Sequence, residues 1–208
     1  MSKMILHEEL FSFDSDLRKK YPVFCGVDEA GRGPLAGSVY AAAVILDKDT
    51  LIEGLNDSKK ISAKNREKLY DIIIDQAVDY CIAEASVEEI DSLNILQATM
   101  LAMKRAVSGL KIKPDFALID GNKVPELECP AEYLIKGDAR SASISAASIL
   151  AKVARDRYMI RIAEEYPQYA FEKHKGYGTK LHYEMLNKYG ISDIHRKTFL
   201  RKLHNDTK

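Results

Sequence analysis

The sequence has few cysteines, no long apolar run and no net charge, and each absence excludes a class of protein. Its three cysteines, Cys25, Cys81 and Cys129, are too widely spaced for a disulfide framework or a CxxC metal site. No apolar run approaches the roughly 18 residues that cross a bilayer. Residues 1–10 also lack the basic start and the apolar centre of a signal peptide. We therefore expect a cytoplasmic protein that does not bind membranes.

The absence of net charge hides a separation of charge along the chain. Residues 1–135 carry 16 Lys and Arg against 23 Asp and Glu, whereas residues 136–208 carry 15 against 8. An acidic part that holds most of the candidate metal ligands therefore adjoins a basic part that can hold phosphate groups. A chance imbalance on a solvated surface is the alternative interpretation of the same counts.

Hydrophobic periodicity predicts five strands with helices between them. The predicted strands are residues 23–28, 38–46, 80–86, 115–120 and 132–136. The predicted helices are residues 62–77, 94–108, 141–166, 180–188 and 196–204, with Ser62 as an N-cap and Gly109 as a C-cap. This alternation is typical of an α/β fold with three layers.

The most informative stretch is DEAGRGP at residues 28–34. The apolar run 22–27 ends there in two adjacent carboxylates, Asp28 and Glu29, which are costly at the end of a buried strand unless a cation pairs with them. A glycine-rich turn follows, and its Arg32 can contact a phosphate or a sugar. Taken alone, the stretch also fits an acidic surface turn after a strand.

The same pattern occurs twice more along the chain. The apolar run 116–119 ends in Asp120, and the run 133–135 is followed closely by Asp138. If the sheet brings these strand ends together, the carboxylates would raise one another's pKa values unless cations lay among them. Oxygen ligands without His or Cys suit Mg²⁺ or Mn²⁺ rather than zinc. Such a cluster is typical of two-metal phosphodiester hydrolysis.

With these residues the chain resembles ribonuclease HII, the type 2 ribonuclease H. The resemblance runs from about residue 21 to residue 195 and rests on DEAGRGP (28–34), LIDG (118–121), KGDA (136–139), SISAASILAK (143–152) and GYGT (176–179). It implies a ribonuclease-H-like three-layer α/β fold with a five-stranded mixed sheet and a C-terminal helical extension. The expected divisions are an N-terminal segment (1–20), a catalytic domain (21–166) and a C-terminal helical part (167–208) packed on the same domain.

The resemblance also implies the chemistry of the acidic residues. Two Mg²⁺ or Mn²⁺ ions are expected, with Asp28 bridging them, Glu29 and Asp120 completing one site and Asp138 the other. One ion would activate a water molecule and the other would stabilise the departing 3′ oxygen, which leaves a 5′ phosphate and a 3′ hydroxyl. The implied substrates are RNA–DNA hybrids and duplex DNA that contains single ribonucleotides, and the expected state is a monomer.

Recognition of the 2′-hydroxyl is expected to distinguish RNA from DNA. The backbone of Gly31, Arg32 and Gly33 can reach the sugar because the glycines carry no Cβ. Tyr177 lies between two glycines and resembles the family tyrosine that recognises the junction between a ribonucleotide and the next deoxyribonucleotide. Without the resemblance, Tyr177 fits an ordinary aromatic residue of a turn.

A third group of candidate residues concerns the phosphate backbone. One stripe of the helix predicted at 141–166 carries Ser141, Ser145, Ser148, Lys152 and Arg155. The N-terminus of this helix and its small hydroxyl residues favour the binding of an anion such as phosphate. A polar helix face that is merely exposed to solvent would show the same spacing of residues. Lys59 resembles a family position that contacts phosphate. His174, Lys175 and His182 are weaker candidates, for which surface or packing roles are favoured.

Two alternative functions are compatible with parts of this pattern. The type 3 relative prefers longer RNA stretches, but it carries an extra N-terminal domain and a different residue where Arg32 stands. Only about twenty residues precede the first predicted strand, too few for such a domain. A catalytically silent nucleic-acid-binding module could share the fold, and a metal titration would distinguish it from an enzyme.

Overall fold

A five-stranded mixed sheet forms the centre of the structure, a computed structural model that describes residues 2–55 and 61–201. The strands are β1 (Phe24–Ala30), β2 (Val39–Ile45), β3 (Asp79–Ala85), β4 (Phe116–Asp120) and β5 (Ala131–Leu134). They lie in the order β3-β2-β1-β4-β5. The pairs β1–β2 and β2–β3 are antiparallel, whereas β1–β4 and β4–β5 are parallel. This topology confirms the predicted five-stranded mixed sheet.

Helices cover both faces of the sheet. Within the described residues they are α1 (Ser2–Arg18), α2 (Ala63–Gln76), α3 (Val87–Leu93), α4 (Ile95–Ser108), α5 (Ala142–Glu165), α6 (Phe171–His174) and α7 (Lys180–Tyr189). α4 packs on one face, and α5, with α2 beside it, packs on the other. The three predicted layers are therefore present. No helix in the described ranges has both the length and the apolar character needed to cross a membrane.

The two faces of β1 differ in a way that positions α5. Cys25 and Val27 belong to the core between the sheet and α4. Gly26 and Asp28 lie on the opposite face, since side chains alternate along a strand. A Cβ atom added to Gly26 would overlap the backbone nitrogen of Ile144 in α5. The missing side chain at Gly26 therefore lets α5 lie directly on β1, next to Asp28.

The element predictions from the sequence are confirmed for the sheet and for most helices. All five strands are present with small shifts at their ends, and Ser62 caps α2 by accepting a hydrogen bond from the N–H of Asn65 (3.3 Å). α4 is followed by Gly109 as predicted. Cys25 is buried, whereas Cys81 and Cys129 are partly buried, and all three are free thiols.

Other elements differ from the prediction. The sequence pattern did not predict α1 or α3, and α3 is separated from α4 only by Asn94, whose φ of 75° turns the chain. The helix predicted over residues 196–204 is wrong in its first part, where Lys197–Phe199 form a 3-10 turn. The reason is tertiary, because the neighbouring residue Arg196 is buried beneath the glycine-rich turn. Residues 202–208 lie outside the described residues.

A buried carboxylate connects α1 to the start of α5. Asp14 accepts hydrogen bonds from the hydroxyl of Ser141 (2.6 Å) and from the backbone N–H and hydroxyl of Ser143 (2.9 and 2.7 Å). Burial raises the pKa of Asp14, and these hydrogen bonds oppose the rise. The sequence pattern predicts that this helix N-terminus binds a phosphate of the substrate. The structure places the carboxylate of Asp14 there instead. Its negative charge interacts favourably with the helix dipole, as that of a phosphate would.

A smaller core joins the C-terminal part of the described chain to the glycine-rich turn. Leu35 and Ala36 follow that turn and pack against Met159 and Ile162 of α5. The same core contains Tyr169, Phe171, Leu186 and Leu200 from the C-terminal part. The turn after β1 is therefore fixed by residues that lie far along the sequence.

Candidate active site

Asp28, Asp120 and Asp138 lie toward the same end of three neighbouring parallel strands, β1, β4 and β5. The hydrogen-bonded register of the parallel strands β1 and β4 ends immediately before Asp28 and Asp120, which places these two residues side by side. The next strand, β5, is followed by the 3-10 turn Gly137–Ala139, which carries the buried Asp138. The backbone N–H of Gly137 donates to Oδ1 of Asp120 (2.6 Å), so the turn lies against the end of β4.

Asp28 is the most deeply buried member of this group and is 5% exposed. Burial raises its pKa well above the ordinary value, and the charges of Glu29 and Asp120 raise it further. Hydrogen bonds from the Ser148 hydroxyl of α5 and from the backbone N–H of Glu29 (2.6 Å to Oδ1) oppose this rise. The protein therefore holds a carboxylate where its ionised form is unfavourable unless positive charge is added.

The donor set at this edge fits a hard divalent cation. Asp28, Glu29, Asp120 and Asp138 offer carboxylate oxygens, the ligands that Mg²⁺ and Mn²⁺ prefer. Within residues 2–55 and 61–201, no three His, Cys, Asp or Glu side chains are gathered tightly enough to form a ready-made metal cluster. The mutual repulsion that raises the pKa of Asp28 is the interaction that a cation among these side chains would remove.

The glycine-rich turn, residues 31–37, begins two residues after Glu29. Arg32 is half-exposed and forms an ion pair with Glu29 (3.4 Å), which places the turn beside the carboxylates. Gly31 has a φ of 102°, a conformation that favours glycine. A Cβ atom there would also overlap the side chain of the buried Arg155. The first glycine is therefore required both by its backbone angle and by close packing.

The side chain of Arg196 lies beneath this turn and holds it in place. Its fully buried guanidinium donates hydrogen bonds to the carbonyl oxygens of Gly31 (2.6 Å), Arg32 (3.1 Å), Pro34 (2.8 Å) and Gly37 (2.6 and 2.8 Å). Burial and the charge of Arg155 lower the pKa of Arg196 to about 9. The carbonyl oxygens of one turn thus supply the hydrogen-bond acceptors that a buried guanidinium needs. No local motif of the sequence indicates this role of Arg196.

Tyr177 lies beside the same turn. A Cβ atom built on Gly33 would be 3.8 Å from Cε1 of Tyr177, so the tyrosine ring adjoins the second glycine of the turn. Tyr177 is 42% exposed. Nζ of Lys152 and the guanidinium carbon of Arg155 each lie 5.8 Å from the centre of its ring. The structure therefore brings Gly33, Lys152 and Tyr177 together on one surface.

The polar stripe of α5 lies inside the protein rather than in solvent. Ser141, Ser145, Ser148 and Arg155 are all buried, which argues against a merely solvated face. Ser148 is hydrogen-bonded to Asp28, and Lys152 forms an ion pair with Asp156 (2.7 Å) near the surface. Contact of Ser145, Ser148 and Lys152 with phosphate stays a prediction. Lys59 lies outside the described residues.

Comparison with solved structures identifies the class of protein. The chain is similar to ribonuclease H2 from Pyrococcus horikoshii OT3, with a TM-score of 0.74 and 29% identity, covering 88% of this chain and 98% of that one. Bst ribonuclease HIII in complex with Mn²⁺ shares the fold, with a TM-score of 0.65 and 16% identity over 81% of this chain and 63% of that one. With its carboxylates at the strand ends, the chain is an enzyme of the ribonuclease-H class.

Sequence comparison then specifies the family. The family model for ribonuclease HII matches residues 25–205. The chain is 50% identical to ribonuclease HII of Caldicellulosiruptor saccharolyticus, over 97% of this chain and 98% of the relative. It is 62% identical to ribonuclease HII 1 of Methylibium petroleiphilum, over 84% and 88% of the two chains. The chain belongs to the ribonuclease HII family, whose members are metal-dependent hydrolases.

Proposed function

We propose that this protein is an endoribonuclease that hydrolyses the RNA strand of RNA–DNA hybrids and incises on the 5′ side of single ribonucleotides in duplex DNA. The observation that carries the proposal is the meeting of Asp28 and Asp120 at neighbouring strand ends, beside a turn that also contacts Tyr177. Membership of the ribonuclease HII family supports it. The activity would remove ribonucleotides from DNA and clear replication primers in the cytoplasm of the cell, with the protein acting as a monomer.

The four acidic residues would hold the metal ions of the reaction. Asp28, Glu29, Asp120 and Asp138 would bind two Mg²⁺ or Mn²⁺ ions, which when bound activate water and stabilise the leaving 3′ oxygen. Ser148 keeps the Asp28 carboxylate oriented by hydrogen bonding to it. The N–H of Gly137 does the same for Asp120. Both contacts come from backbone or side chains that are packed in the core, so the ligands are held in place before substrate binds.

The glycine-rich turn and Tyr177 would recognise the sugar. Gly31 and Gly33 leave room for a ribose to approach the backbone of the turn, and the backbone groups of Arg32 can reach its 2′-hydroxyl. The half-exposed Tyr177 ring borders the same space and could stack on the sugar of the following deoxyribonucleotide. Lys152, beside that ring, would bind the phosphate, with Ser145, Ser148 and Lys59 as further candidates. In this arrangement residues 21–166 form the catalytic domain, and residues 167–208 contribute Tyr177.

Incubation with labelled duplex DNA that carries one ribonucleotide tests the proposal. The reactions contain Mg²⁺, Mn²⁺ or a chelator, and an all-RNA hybrid of the same sequence runs in parallel. Metal-dependent incision just 5′ to the ribonucleotide is the expected result. Cleavage of the hybrid alone would contradict the junction activity and indicate specificity like that of the type 3 relative. Binding of both substrates without cleavage would contradict the enzymatic proposal and favour a silent binding module.

A further inference from the structure

Three histidines lie buried beneath the turn that carries Tyr177. They are His174 of α6, His182 of α7 and His195, and they pack among the aromatic rings of the C-terminal core. The rings of His174 and His182 are stacked, with centroids 4.4 Å apart. The ring of Phe171 contacts both of these rings edge-on, with centroid distances of 5.8 Å to His174 and 5.5 Å to His182. The packing role favoured for the first two histidines describes their surroundings, but their hydrogen bonds indicate a further role.

Two of the histidines form a hydrogen-bond chain with a defined direction. Nδ1 of His195 accepts a hydrogen bond from the backbone N–H of Ser192 (3.0 Å), so the proton of its neutral ring lies on Nε2. That Nε2 lies 3.0 Å from Nε2 of His182, which accepts its hydrogen bond. His182 can accept there because its own proton lies on Nδ1, which donates to the carbonyl oxygen of Tyr177 (3.0 Å). The chain therefore runs from Ser192 through both rings and ends on the backbone of Tyr177.

Burial keeps this chain in its neutral state. The pKa of His182 and that of His195 are each lowered to about 4, first by burial and then by the charge that a neighbouring histidine would carry. Protonating His182 would place two N–H groups against each other across the 3.0 Å contact, and protonating His195 would place a new Nδ1–H against the backbone N–H of Ser192. Near neutral pH both rings are neutral, and the direction of the hydrogen bonds is preserved.

The other polar groups around Tyr177 are also held by buried side chains. Nδ1 of His174 accepts from the N–H of Gly176 (3.2 Å), and its Nε2 lies 2.9 Å from the carbonyl oxygen of Tyr169. The carbonyl oxygen of Lys175 accepts from the guanidinium of Arg155 (3.1 Å). All six ring nitrogens of the three histidines thus have partners inside the protein, which leaves none for a metal ion.

We propose that His182, oriented by His195, is a positioning residue that fixes Tyr177 against the glycine-rich turn. The inference rests on the proposed function for the role of Tyr177 at the junction. His182 does not touch the substrate in this proposal, and its effect passes through the carbonyl oxygen of Tyr177. The backbone N–H of Thr179 also donates to this carbonyl oxygen (2.8 Å), so loss of the His182 donor removes its side-chain partner and allows the turn to shift.

A matched pair of variants tests the inference. His182→Asn carries an amide N–H near the position of ring Nδ1, so it keeps the donor to Tyr177 and loses the contact with His195. His182→Gln places its amide one methylene further out, so it keeps a partner for His195 and loses the donor to Tyr177. Both variants bury an amide and lose one hydrogen bond, which makes their cost to folding similar. A melting curve for each variant checks this.

A fluorescent reporter measures the position of residue 177 without any assay of activity. The sequence contains no tryptophan, so Tyr177→Trp introduces a single reporter. Combined with this substitution, His182→Gln is expected to lower the fluorescence anisotropy and to increase quenching by acrylamide, whereas His182→Asn leaves both close to those of Tyr177→Trp alone. The same anisotropy and quenching in the two combinations would overturn the inference.

Cleavage rates then connect position to function. These rates are measured in variants that keep the native Tyr177. His182→Gln is expected to lower kcat/KM on the single-ribonucleotide duplex by about tenfold relative to the all-RNA hybrid, whereas His182→Asn is expected to lower it by less than about threefold. Equal losses on both substrates in the two variants would overturn the inference. If Tyr177→Ala cleaves the two substrates in the wild-type ratio, the proposed role of Tyr177 fails. The fluorescence difference would still show that His182 positions residue 177.

Discussion

The carboxylate edge and the sugar-binding surface adjoin each other but are built in different ways. The carboxylate edge consists of Asp28, Glu29, Asp120 and Asp138, and the parallel register of the central strands places its members. The surface proposed to bind the sugar, called the sugar-binding surface, consists of the glycine-rich turn and Tyr177, and buried cations and histidines far along the chain hold it. The positions of the acidic residues therefore depend on the sheet, whereas those of the glycine-rich turn and Tyr177 depend on the C-terminal core.

Because the two regions are held in different ways, they should respond differently to the loss of a side chain. At the carboxylate edge the side chains repel one another, so removing one of them costs function but little stability. At the sugar-binding surface the supporting groups are buried and hydrogen-bonded, so removing one of them costs stability as well. Mutations can separate these two responses.

The largest expected effect on activity is at Asp120. Asp120→Asn removes one negative charge beside Asp28 and one oxygen ligand, so cleavage of both substrates should fall to background. The melting temperature should stay unchanged or rise, because a repulsion within the folded state is removed. Single-turnover cleavage and thermal unfolding in a chelator measure the two effects. Full activity in this variant would contradict the role of Asp120 as a metal ligand.

The largest expected effect on stability is at Arg196. Arg196→Lys keeps the charge but cannot reach all four carbonyl oxygens that the guanidinium contacts, so the free energy of unfolding should fall by roughly 3 kcal/mol or more. KM for the ribonucleotide duplex should rise because the turn is no longer held. Denaturant unfolding and initial rates check both. The exposed Arg32→Lys serves as the control and should leave stability unchanged.

Replacing glycine by alanine at two positions, one beneath α5 and one in the glycine-rich turn, tests how the two regions differ in packing. Gly26→Ala places a methyl group against the backbone of α5 and should cost about 2–3 kcal/mol of unfolding free energy. Gly33→Ala meets only Tyr177 at an ordinary contact distance, so its stability should match wild type. Its methyl group lies where the sugar is proposed to bind, so its KM should rise. Equal stability of the two variants would contradict the direct packing of α5 on β1.

The two regions should also respond in opposite directions to pH. The pKa values of His182 and His195 are lowered on folding, so their stabilisation is complete above about pH 6.5 and is lost as pH falls toward about 4, by a few kcal/mol. The pKa of Asp28 is raised on folding, so its burial destabilises the metal-free protein increasingly as pH rises above about 4.

Denaturant unfolding between pH 4.5 and 8 in a chelator measures both trends. Asp28→Asn should raise stability near pH 8, where the wild-type carboxylate is most strongly repelled, and should leave the loss at acid pH in place. Added Mg²⁺ should raise the stability of the wild-type protein near pH 8 and raise that of Asp28→Asn less. The same response to Mg²⁺ in both proteins would contradict cation binding at the carboxylate edge.

The sequence was sufficient to predict the sheet, because apolar runs of strand length are local patterns. It also indicated Asp28 and Asp120 as candidate ligands, since each stands at the end of such a run. It could not predict α1, whose polar sequence forms a helix with Leu10 and Asp14 buried against the rest of the protein. It favoured a helix at Arg196, where tertiary hydrogen bonds to the glycine-rich turn prevail over local propensity.

The sequence by itself determined the chemistry that this protein offers: oxygen ligands at strand ends, a glycine-rich turn and a tyrosine between glycines. The tertiary structure alone decided which groups hold these residues in place. Ser148 on Asp28, Arg196 beneath the turn and His182 on the Tyr177 carbonyl act across long separations in sequence. The physical reason is that buried polar groups must find partners wherever the fold brings them together, and no local pattern records that pairing.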